Sequence, residues 1–73
     1  MPPNSQKQVQ RLYRRITAEL EAAATHSQVA AEHMGVSDIA RACAHGMAVN
    51  GHLRAADRMM GEVAEIHAGK ARV

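Results

Sequence analysis

Five histidines stand out in a chain of 73 residues: His26, His33, His45, His52 and His67. Imidazole is the commonest transition-metal ligand and the side chain whose charge changes near neutral pH. His26 and His33 are seven residues apart, as are His45 and His52. Seven residues span about 10 Å of helix, too far for two rings to share one ion. Two histidines four apart, the strong single-helix signal for a metal, are missing, and so is the Glu-x-x-His pattern of di-iron bundles. Across a hairpin His26 and His45 could meet, but a carboxylate third ligand is poorly placed. Glu21 and Glu19 lie five and seven residues before His26, neither at the i, i+3 or i, i+4 spacing that shares a face. The sequence therefore predicts no metal and no cofactor, and histidines at a surface or interface that make stability respond to pH.

Other chemistry is sparse. Cys43 is the single cysteine, so no internal disulfide is available, and its expected role is that of a small buried hydrophobe. Met47, Met59 and Met60 read as core or as an adaptable binding surface. No Gly-rich phosphate loop, Ser-His-Asp arrangement or paired-carboxylate site appears. The expectation is a protein that is not an enzyme and has no small-molecule substrate.

Charge carries more information. The formal net charge is only +2, but it is unevenly spread. Residues 1–15 hold Lys7, Arg11, Arg14 and Arg15 and no acid, a net +4. Residues 16–53 hold Arg41 against Glu19, Glu21, Glu32 and Asp38, a net −3, and residues 54–73 come to +1. Lys7, Arg11, Arg14 and Arg15 share one helix face and form a basic stripe about 12 Å long. With Arg54 and Arg58 they are the candidate contacts for phosphates or for an acidic protein surface. The competing expectation is a solvated face partly paired with Asp57, Glu62 and Glu65. Tyr13 is the single aromatic residue, which argues against a base-stacking platform for single strands.

The elements that must position these residues are helical. Of the 34 apolar residues 15 are Ala, and Phe and Trp are absent. A chain this short forms one domain, often with the help of a partner. Residues 1–5 contain two prolines and read as a disordered lead, with Asn4 or Ser5 as a helix cap. From Gln6 the chain is rich in helix formers. Apolar positions recur in threes and fours at Val9, Leu12/Tyr13, Ile16, Leu20, Ala23/Ala24, Ala30/Ala31 and Met34. Gly35 is placed as a helix-ending glycine, and Ser37 or Asp38 as the cap of the next helix. The second stripe runs through Ile39, Ala42/Cys43, Gly46/Met47, Val49, Leu53, Ala56, Met60, Val63 and His67. Gly46, Gly51 and Gly61 weaken it, and Asn50-Gly51 is a turn dipeptide. The phase does not slip there, so one long helix is favoured over a break. Residues 69–73 read as a frayed tail, leaving 6–68 as the domain.

The predicted fold is all-α: two long helices in an antiparallel hairpin whose half-covered stripe pairs with a second copy in a four-helix bundle. Leu12, Ile16, Leu20, Ile39, Val49, Leu53, Met60 and Val63 are the candidates for core or dimer packing. In a hairpin turning near Gly35 the open end is basic and the turn end acidic. No apolar run approaches the roughly 20 residues of a membrane span and no signal peptide opens the chain, which leads to an expectation of a cytoplasmic protein.

Residues 27–43, with small Ala31 four residues before Gly35, then Val36 and Ser37, resemble the helix-turn-helix of bacterial repressors. That resemblance implies DNA binding through Asp38, Arg41 and His45. It departs from the pattern at Arg41, where an apolar residue is expected, and at Asp38, which repels phosphate. The leading functional expectation is a helical interaction module that dimerises and binds a protein partner, as adaptors and small phage- or plasmid-borne inhibitors do. The alternative is a nucleic-acid-binding regulator using the basic stripe or residues 27–43.

Overall fold

The computed structural model describes residues 3–71, as two helices: α1 (Pro3–Gly35) and α2 (Ile39–Ala71). They lie antiparallel in a rod with principal extents of 56 × 16 × 11 Å. No helix is long and apolar enough to cross a membrane among the described residues. Helix α1 begins at Pro3, not at Gln6, so residues 3–5 belong to the helix and not to a disordered lead. Proline is tolerated in a first turn, where its missing N–H has no partner to lose. Helix α2 runs unbroken through Gly46, Asn50 and Gly51 and continues past Gly69 to Ala71. The expected tail is thus helical as far as Ala71, and residues 1–2 and 72–73 of the expected lead and tail lie outside the described residues.

The turn differs from expectation in one residue that matters. The helix-ending left-handed conformation falls on Ser37 (φ 62°), and no glycine has a positive φ. Ser37 N–H donates to the Met34 carbonyl at 3.0 Å and Asp38 N–H to the His33 carbonyl at 2.8 Å. This pair of bonds is a Schellman closure with a serine in the glycine's place. Asp38 then caps α2, its Oδ1 accepting from Arg41 N–H at 3.3 Å.

The seam between the helices alternates threes and fours. On α1 it follows Val9, Leu12, Ile16, Glu19, Ala23, His26, Ala30 and His33. On the other side it follows the cap residue Asp38 and then, on α2, Ala42, His45, Val49, His52, Ala56, Met59, Val63 and Ile66. All of these are buried or half-buried. The spacing is that of a coiled-coil seam. Its two halves differ. Leu12, Ile16, Ala56, Met59 and Val63 form a core near the open end, with Val9 and Ile66 packed against it. Toward the turn the apolar seam positions hold small residues, Ala23, Ala30, Ala42 and Val49, and a methyl buries little area.

Candidate functional site

The seam carries a polar row. Glu19, His26 and His33 occupy one set of heptad positions on α1, and the cap residue Asp38 with His45 and His52 of α2 the facing set. Glu19 faces His52, with Oε2 2.9 Å from Nδ1. His26 faces His45, their Nδ1 atoms 2.9 Å apart. His33 faces Asp38, with Nδ1 3.9 Å from Oδ2, and Arg41 Nε lies 3.5 Å from the same Oδ2. The rings also stack along the row. His26 lies 5.5 Å from His52 and His33 lies 5.5 Å from His45, each pair inclined by 18°.

Glu19 therefore has a role that spacing on one helix did not reveal. Seven residues make one heptad, two helical turns, and return to the same seam, so Glu19 and His26 do share a face. Glu19 nevertheless meets the opposite helix's His52 before it meets His26. Among the described residues no three His, Cys, Asp or Glu side chains converge on one point. His67 is exposed, apart from the row.

The row lies toward one face of the hairpin, where its flanking neighbours are small: Ala22, Val29, Ala48 and Ala55, all half-buried. Toward the open end this face is a shallow groove lined by Asn4, Gln8, Arg11, Leu12, Arg15 and Glu62. Lys7, Arg11, Arg14, Arg15, Arg54 and Arg58 are all exposed. None has a carboxylate within ion-pair distance among the described residues, where the salt bridges are those of Asp38 and Glu19. The expected pairing with Asp57, Glu62 and Glu65 is absent there, although Glu62 lines the same groove as Arg11 and Arg15.

The opposite face is apolar. One position past the polar row come Tyr13, Leu20, Ser27 and Met34 on α1, and Ile39, Gly46, Leu53 and Met60 on α2. Because the helices have one handedness and opposite directions, these equivalent positions flank the seam on the same side. Leu20 is 47% exposed, Ile39 60%, Leu53 46% and Met60 43%. These four candidates for packing are thus outside the hairpin's own core, whereas Leu12, Ile16 and Val63 are in it and Val49 is half-buried. The next positions outward are Gln10, Thr17, Ala24 and Ala31 on α1 and Cys43, Asn50, Asp57 and Ala64 on α2. Asp57 is the one acidic or basic side chain in these rows. Cys43 is exposed here, not buried as expected, because Ala42 takes the seam position. Met47 is 78% exposed, while Met59 belongs to the core.

The residues that resemble a helix-turn-helix form the closed end of the hairpin. Their helices run side by side, not at the 90–120° crossing of that motif. No family model, curated protein or solved structure matches the chain.

Proposed function

We propose that this protein is a non-enzymatic interaction module that pairs with a second copy through its apolar face and presents its charged surfaces to a protein partner. The observation that carries this reading is the offset between apolar stripe and seam. The helices meet through a row holding four histidines and two acids, while the larger apolar side chains beside it stay half in water. Covering Leu20, Met34, Ile39, Leu53 and Met60 would yield about 1 kcal/mol apiece at their present exposure. A face 56 Å long and 16 Å wide matches the roughly 800 Å² per partner of specific interfaces.

Charge selects the orientation. Two hairpins packed with their open ends together would juxtapose the two net +4 stretches of residues 3–15. Packed head to tail, each basic end faces the partner's acidic turn end, at −3. Light scattering at micromolar concentration tests the pairing: a dimer is expected, and Leu20→Glu with Leu53→Glu should give a folded monomer. A monomeric parent protein would defeat the reading.

A second reading keeps nucleic acid as the partner. It rests on the six exposed cations that have no ion-pair partner among the described residues. Two copies of the stripe would clasp a duplex or RNA hairpin through phosphates. Affinity should then fall steeply with salt and vanish on replacing Arg11, Arg14 and Arg15 with Ala. A flat salt response would dispose of it.

A further inference from the structure

The polar row sits where a hairpin would ordinarily place leucines, in the half of the molecule with the smallest apolar side chains. Its six members account for every titratable side chain in the turn-proximal seam: Glu19, His26 and His33 from α1, His45 and His52 from α2, and Asp38 from its cap, with Arg41 beside Asp38. The protons it can hold are not equivalent. His52 and His33 each face a carboxylate, so a proton on either is met by an opposite charge. His26 and His45 face each other at 2.9 Å. A hydrogen bond between two imidazole nitrogens needs one donor and one acceptor, so this contact accommodates one proton and not two. A second proton would oppose two N–H groups, with His52 and His33 stacked 5.5 Å away on either side and no carboxylate at the centre.

We infer that the histidine row is a proton-operated latch, which holds the turn-proximal half of the hairpin closed at neutral pH and releases it on acidification. A charge on His52 or His33 faces Glu19 or Asp38 and leaves the row closed. A charge on both His26 and His45 sets two N–H groups against each other across a 2.9 Å contact, which only parting of the helices relieves, so acid opens this half. Ala23, Ala30, Ala42 and Val49 bury too little to hold that half by themselves. The core of Leu12, Ile16, Ala56, Met59 and Val63 contains no titratable group, and it keeps the open end paired. All contacts of the latch lie within one chain, so the device does not depend on self-association or on the partner.

The test is thermal unfolding and amide NMR of the full chain from about pH 7.5 to about pH 5, across the imidazole range. The parent's midpoint should fall by about 10 °C, with amide signals of residues 23–49 shifting before those of residues 9–16. The His26→Gln, His45→Gln double variant should lose most of this dependence. Glu19→Gln, which leaves a protonated His52 uncompensated, should enlarge it. A midpoint that stays level or rises on acidification overturns the latch, as does an equal fall in the double variant. Should the double variant fail to fold, the imidazole signals of the parent protein decide. Full protonation of both His26 and His45 with the amides of residues 23–49 unmoved would equally refute it.

Discussion

Ser37 is the one non-glycine residue with a positive φ among the described residues. It adopts φ 62°, a region where a Cβ costs roughly 1 kcal/mol and glycine goes freely. Ser37→Gly should therefore raise stability by about 0.5–1 kcal/mol in chemical denaturation. Gly35 is the converse case. It is helical, and a Cβ there would meet nothing within 4 Å, so Gly35→Ala should add a similar amount through helix propensity. The pair tests the turn itself: if the closure were at Gly35, both changes would destabilise. The sequence suggested Gly35 because glycine is the usual occupant of such a cap. What decides the position is the first hydrogen bond of α2 together with the Asp38 cap, which fix where the chain must reverse. The small side chain of Ser is tolerated two residues later.

At the scale of the helices, how much was legible depended on which residues marked the stripe. Two helices, their antiparallel hairpin and the continuity of α2 all followed from the three-and-four periodicity. The face on which they meet did not. Hydrophobicity favours the rows Val9-Ile16-Ala23-Ala30 and Tyr13-Leu20-Ser27-Met34, whereas the seam combines the first with Leu12-Glu19-His26-His33. Imidazole and carboxylate groups score as surface residues one at a time. They become half-buried here because each finds a partner across the seam, which offsets the penalty of burying an unpaired polar group. The glycines of α2 give a separate check on the apolar face. Gly46, Gly51 and Gly61 all have open space around a built Cβ. Gly51→Ala and Gly61→Ala, away from the apolar row, should each stabilise by about 0.5–1 kcal/mol. Gly46 lies in that row between Ile39 and Leu53. Gly46→Ala should gain less, and Gly46→Leu should weaken self-association measured by sedimentation, because a second helix pair has to fit over it.

The whole molecule is a rod with three distinct sides. An apolar face, a face with a groove and the histidine row, and a basic open end account for its unevenness of charge and hydropathy. Salt should act on these to very different degrees. Head-to-tail pairing sets the +4 stretch of residues 3–15 against the −3 of residues 16–53, so raising ionic strength from low to physiological should weaken the dimer only modestly. Contact of the basic end with a polyanion should weaken by orders of magnitude over the same interval. Comparing the two salt slopes in sedimentation and in binding separates self-association from recognition without any substitution.

The three facing pairs of the polar row have residue numbers that each add to 71, so the hairpin is close to a palindrome about its turn. That near-symmetry makes the chain a candidate for helix exchange. If the turn straightened into one continuous helix, α1 of one chain could lie along α2 of another, and every Glu–His, His–His and His–Asp contact would re-form unchanged between chains. Seam contacts then favour neither arrangement, and the choice falls to the connection of three residues that holds the one left-handed serine. A substitution there that prefers helix, such as Ser37→Ala, should shift the population toward exchanged dimers, seen as a slowly interconverting second species in size separation.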